Sequence, residues 1–206
     1  MDAFSLIAAE RLRLAEALDA LPADAWEVPS LCGAWTVHEV AAHLNVPFEV
    51  SSLQFVVGML KARGSFDRAN ERTARDLARR MGPAACAAGL RANAASRFTP
   101  PGSGPEAPLT DVIVHGCDIL QPLGRRVAVA PEALAVAIPA MAEGRRGFPG
   151  KIDPALRLEP DDVDLVVGTG DQVVTGPGRS ILAVMLGRDA LRSDLGGPGA
   201  SLLGRS

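Results

Sequence analysis

The 206-residue sequence predicts a mainly α chain: a helical part over residues 1–148, then a small α/β domain over 149–206. Three observations carry this. Alanine, the strongest helix former, occurs 30 times in residues 1–150 and only 4 times in 151–206. Apolar residues recur at helical spacing before that point. After it come the short runs Leu156-Arg157-Leu158, Val163–Val167 and Val173-Val174, bounded by Gly and Pro as strands are. The boundary is set at Gly147-Phe148-Pro149-Gly150.

Each helix has its own signal. Residues 2–20 put Phe4, Ile7, Leu14 and Leu18 on one broad face. Residues 36–45 open with Thr36-Val37-His38-Glu39, a capping box in which the Thr hydroxyl and the Glu carboxylate accept from each other's backbone amides. Pro47 kinks or restarts the helix, which runs on to about Ala62. Residues 67–81 carry Arg68, Glu71, Arg72, Arg75, Asp76, Arg79 and Arg80, the pattern of a solvated surface helix. Residues 83–97 are alanine-rich behind Pro83, and the stretch Thr99–Pro105 cannot be helical. Helices resume over Leu109–Leu120, stopping at Pro122-Leu123-Gly124, and over Pro131–Glu143. Gly176-Pro177-Gly178-Arg179 ahead of Ser180–Leu186 reads as a strand-to-helix turn in preference to an anion-binding helix start.

Composition excludes several function classes. With 21 Lys+Arg against 24 Asp+Glu the net charge is −3, which argues against a nucleic-acid partner, since such binders need a basic face. Cys32, Cys86 and Cys117 form no CxxC, and an odd, scattered set reads as reduced thiols in a cytoplasm. No run is long and uncharged enough to span a membrane. Asp2, Glu10, Arg11, Arg13, Glu16 and Asp19 make the first twenty residues unlike a signal peptide. The expectation is a cytoplasmic protein with neither nucleic acid nor membrane as partner; the oligomeric state is open.

The chemistry rests on few residues. There are three histidines, His38, His43 and His115. Asp111 and His115 are i and i+4, so on a helix their Cβ atoms lie ~5–6 Å apart on one face. Both can then converge on one ion, and His43 from a neighbouring helix makes a third ligand. Three protein ligands and one open position is the pattern of catalytic zinc. Asp118, seven residues after Asp111, returns to that face and could orient a ligand from behind. On spacing alone, a histidine satisfied within the core is the commoner outcome. His38 points about 140° away from His43 and reads as exposed. Cys32 reads as a small buried residue before the Gly33-Ala34-Trp35 turn. Cys117 cannot pair with His115 as a nucleophile, because residues two apart on a helix do not face each other.

Two stretches together resemble a known family. Leu31-Cys-Gly-Ala-Trp-Thr-Val-His-Glu-Val-Ala-Ala-His43-Leu is similar to the signature of the mycothiol-dependent maleylpyruvate isomerases, within the DinB-like superfamily. Leu109-Thr-Asp111-Val-Ile-Val-His115-Gly-Cys-Asp118-Ile-Leu-Gln-Pro-Leu-Gly124 is similar to its second motif, and Gly176–Leu182 with Gly187-Arg188 more loosely to its C-terminal appendage. The resemblance implies a DinB-like four-helix bundle with a small C-terminal α/β domain. It implies a divalent metal, usually zinc, on His43, Asp111 and His115. It implies mycothiol as thiol cosubstrate, a small-molecule electrophile as partner, and either isomerisation of maleylpyruvate-like substrates or thiol transfer. The alternative is a metal- or ligand-binding DinB-like protein without turnover. In the isomerase the carboxylate ligand is Glu; Asp111 is one methylene shorter, which bears on metal position, affinity and substrate.

Overall fold

The side chain of Asp2 accepts from the Ser5 amide at 2.8 Å and so starts α1 (Ala3–Asp19), which buries Ile7, Leu14 and Leu18. These belong to a computed structural model that describes residues 2–145, Phe148 and 151–204. The chain is mostly helical, with one small two-stranded sheet near its C-terminal end. The Thr36–Glu39 capping box is present and opens α2 (Val37–His43). Pro47 sits in the single turn α3 (Val46–Glu49), the backbone extends at Val50, and a second capping box at Ser51 opens α4 (Ser52–Lys61). Then follow α5 (Phe66–Ala78), α6 (Pro83–Ala92), α7 (Glu106–Leu120) and α8 (Pro131–Ala142). α6 is shorter than predicted, ending at Ala92; α7 starts a turn earlier, at Glu106.

The centre of the bundle is α7. Every residue from Pro108 to Leu120 is buried except Asp111. A helix covered all round is a core helix, and here α1, α2 and α8 pack around it while α5 and α6 close the outside. The charged α5 is amphipathic: Ala69, Ala74 and Leu77 face the core. Asn45 ties α2 to α6 by donating to the Ala41 and Cys86 carbonyls, at 2.9 and 3.1 Å. Gly89 permits this approach, since a Cβ there would lie 2.2 Å from Asn45 Oδ1. The buried Arg11 donates to the carbonyls of Asn93, Ala94 and Ser96, at 3.2, 3.2 and 3.0 Å, closing the chain that leaves α6. Arg11→Met is expected to cost about 2–3 kcal/mol, because buried carbonyls lose a charged donor; a urea midpoint shift would measure it.

In the C-terminal part, β1 (Leu156–Pro160) and β2 (Gln172–Gly176) pair in parallel, Leu156 opposite Gln172 and Pro160 opposite Gly176. Pro177 then turns the chain into α9 (Gly178–Met185), the predicted strand-to-helix turn. Ile181, Leu182, Ala183 and Val184 are fully buried. α9 packs on α7 and α8, and one apolar core runs from the bundle through α9 to Leu156, Leu158 and Val174. No described helix is long and apolar enough to cross a membrane.

Three expectations are corrected, and one lies out of view. Val163–Val167 is not a strand: it forms bends, and only Val167 bridges to Leu158. Parallel strands require a crossover, and this segment is that crossover. His38 is half-buried, its Nε2 2.7 Å from the Met81 carbonyl and its ring against Trp26. Cys32 is half-buried beside charged groups rather than sealed in the core. The predicted boundary at 147–150 lies, Phe148 apart, outside the described residues.

Candidate metal centre

Three elements bring the candidate residues together. The capping box fixes the start of α2, and His43 lies in its last turn. α7 supplies Asp111, His115 and Asp118 one turn apart on one face. Between Pro29 and Thr36, which bridge to each other, the chain makes a tight loop. Gly33 takes φ +59 in it, a left-handed conformation that favours glycine. The Leu31 amide donates to the Asp118 carbonyl at 3.2 Å and pins this loop to α7. It sets Cys32 near His115 and the buried Trp35 against His43, with ring centroids 5.2 Å apart.

His43 Nε2 lies 3.8 Å and His115 Nε2 3.4 Å from the same atom, Asp111 Oδ1. The ligand atoms of all three residues fall within 4.8 Å of one another. Separations of 3.4 and 3.8 Å are long for hydrogen bonds. They suit the edges of a tetrahedron whose centre stands ~2.0–2.2 Å from each donor, the bond lengths of zinc to imidazole and carboxylate. The Asp111 side chain is 46 % exposed while those of His43 and His115 are 14 % and 10 % exposed, so the cluster opens to solvent on the carboxylate side.

Behind His115, its Nδ1 lies 2.8 Å from Asp118 Oδ2. In the neutral imidazole this contact keeps the proton on Nδ1 and frees the Nε2 lone pair on the Asp111 side. Asp118 is fully buried and receives Arg188 on both oxygens, Nε to Oδ1 at 3.1 Å and NH2 to Oδ2 at 2.9 Å. The same guanidinium donates to the Leu186 carbonyl at 2.7 Å and lies 3.5 Å from Cys32 Sγ. Among the described residues His43 has no such support: its Nδ1 is buried without a partner there.

Cys32, His115 and Asp118 form a second set of ligand atoms within 4.8 Å. Arg188 already occupies it, holding both Asp118 oxygens and facing the sulfur, so an ion pair and not a cation suits that side of the imidazole.

The electrostatics follow from this arrangement. The protein packed around its inner oxygen works against ionisation of Asp111, whose outer edge is open to solvent, but His115 and His43 beside it hold its carboxyl well below the usual carboxylate range. Burial also opposes charge on His115; Asp111 and Asp118 outweigh it and raise its pKa well above the ordinary value. Burial would raise Asp118, but His115 and Arg188 bring it down. Burial alone pushes Cys86 to about 12, and burial with Asp118 nearby does the same to Cys117, so neither is a nucleophile at neutral pH.

Trp35, Cys32 and Arg188 escaped the site prediction. Trp35 and Cys32 lie within the first motif, but nothing in their spacing marks them as lining a site. Arg188 is 70 residues from Asp118, beyond the reach of any local pattern.

No curated protein and no solved structure matches the chain. A family model does: mycothiol maleylpyruvate isomerase N-terminal domain, over residues 7–109. The match takes in the first motif and His43 and stops two residues before Asp111. Because it covers half of the chain and carries the tryptophan loop, the capping box and His43, the chain belongs to the mycothiol maleylpyruvate isomerase N-terminal domain family.

Proposed function

We propose that the chain is a metal-dependent enzyme using a low-molecular-weight thiol, mycothiol, to isomerise maleylpyruvate-like substrates or to transfer the thiol to an electrophile. His43, Asp111 and His115 would hold the metal, zinc by the donor set. In this reading residues 1–148 form the metal-binding bundle, residues 149–206 form a domain contributing Arg188, and the enzyme works in the cytoplasm. The observation that supports it most is the convergence of His43 Nε2 and His115 Nε2 on one Asp111 oxygen without hydrogen-bonding it.

A bound divalent cation with an open position lowers the pKa of a thiol so that it reacts as thiolate at neutral pH. The chain's own residues prepare that site. Asp118 keeps the His115 proton on Nδ1, Arg188 balances the Asp118 charge, and Trp35 walls the His43 side against water. The thiolate then adds to an electrophilic carbon of the substrate. Where a carbon–carbon double bond becomes single, rotation and loss of the thiol convert cis to trans; where the thiol stays, the reaction is a transfer. No protein nucleophile is needed, in keeping with the high pKa of Cys117.

Metal content by mass spectrometry together with mycothiol consumption tests this reading. About one equivalent of zinc and thiol-dependent turnover are expected; turnover unchanged after complete removal of metal overturns it. Proton release is a second check. In the metal-free protein, charged His115 contributes stability that is complete below about 6.5 and lost as pH rises through its raised folded value. Asp111 and Asp118 contribute stability present above about 3.9 and lost as pH falls through their lowered values. A ligating imidazole must be neutral, so zinc binding at pH 7 is expected to release about one proton and to weaken on acidification. Calorimetry in buffers of different ionisation enthalpy measures this.

A further inference from the structure

The outer face of α4 is a contact surface that the proposed chemistry does not use. Leu53, Val56, Val57 and Leu60 stand at i, i+3, i+4 and i+7, one stripe of the helix, and all four are exposed, Leu53 and Leu60 at 72 % and 74 %. The opposite face is apolar too, with Phe55 against Phe66 and Gly58 against Thr73 of α5. A helix apolar on both faces belongs under cover on both, and here only one is covered.

The order of the stripe identifies its occupant. Leu-x-x-Val-Val-x-x-Leu reads the same in both directions about the midpoint between Val56 and Val57. Such a pattern is self-complementary under a two-fold axis across the helix, which brings Leu53 of one copy to Leu60 of the other and Val56 to Val57. The charges follow the same symmetry. Glu49 is exposed just before the helix, Lys61 is exposed in its last turn and Arg63 just after it; no ion pair engages them among the described residues. Antiparallel pairing sets Glu49 of each copy near the basic end of the other. Parallel pairing instead stacks the basic ends. The four exposed side chains of the stripe form one contiguous apolar patch, the kind of surface feature that marks an interaction site.

We infer that the chain forms a two-fold dimer through antiparallel pairing of the α4 stripes, with the Val56–Val57 midpoint on the axis. Sedimentation of the full chain across a concentration series tests this. A reversible shift from 21.4 kDa to twice that mass, with a midpoint in the micromolar range, is expected. Val56→Glu faces like charges across the axis and should return the chain to monomer at every concentration, with its circular dichroism unchanged because position 56 is exposed. Register is read separately by mixing Leu53→Cys with Leu60→Cys chains under mild oxidation. A disulfide between the two variants, at least tenfold over that within either variant alone, supports antiparallel pairing. A monomer throughout, a dimer indifferent to Val56→Glu, or cross-linking within Leu53→Cys alone overturns the inference. A monomer that sediments with anionic vesicles assigns the patch to a lipid surface and overturns it as well.

Discussion

His115→Ala is expected to abolish thiol-dependent turnover, with a loss of at least about 100-fold, while the helical circular dichroism stays intact. Removing even an outer partner of a metal-bound histidine costs 10–100-fold in affinity or activity, and His115 is placed as a ligand itself. The fold should survive because alanine is the best helix former and Asp118 keeps both contacts to Arg188. Zinc content should fall together with turnover. Cys117→Ser is the matched control: its thiol is buried with a pKa near 12, and the attacking sulfur comes from the cosubstrate. Activity surviving His115→Ala but lost in Cys117→Ser or Cys32→Ser would refute the metal–thiol mechanism and point to a cysteine nucleophile.

Asp118→Ala should have the largest effect on stability. Asp118 is fully buried between His115 and Arg188. Its removal leaves a guanidinium in the interior without an anion, the situation that costs about 3–5 kcal/mol when one partner of a buried pair is deleted. For a chain of this length that is a fall in melting temperature of roughly 10 °C. Asp118→Asn separates the two roles of the carboxylate. The amide oxygen still accepts one hydrogen bond, so less stability is lost, whereas the imidazole loses its anionic partner and zinc affinity should drop 10–100-fold. Thermal melts and zinc titrations on both variants distinguish these outcomes. Equal melting temperatures for wild type and Asp118→Ala would contradict the ion-pair account.

What the sequence revealed was local. The capping box at Thr36 and Glu39, the break at Pro47 and the turn at Pro177 depend on residues within a few positions of one another, and each is found. The nearness of Asp111, His115 and Asp118 follows from helical periodicity alone. Pairing them with His43 required either a tertiary guess or the family resemblance. Where the reading failed, a distant partner decides. Val163–Val167 has strand-like composition, but pairing of β1 with β2 turns it into a crossover. His38 has the angle of an exposed residue, yet the Met81 carbonyl comes to meet it. Arg188 lies just past α9; the resemblance touches Gly187-Arg188, but no local pattern ties that arginine to Asp118, 70 residues away.

The Arg188–Asp118 pair also orders events during synthesis. Ribosomes add about 5–20 residues per second, so the 70 residues between Asp118 and Arg188 correspond to a delay on the order of 10 s. Throughout that interval the emerging chain already carries His43, Asp111 and His115, but Asp118 has only His115 for a partner and lacks the guanidinium that holds both its oxygens. A fully buried carboxylate settles best when both oxygens are hydrogen-bonded and its charge is paired. Native packing around α7 is therefore completed only when Arg188 arrives from beyond α9, and the histidine–carboxylate cluster gains its final support later than its own residues appear.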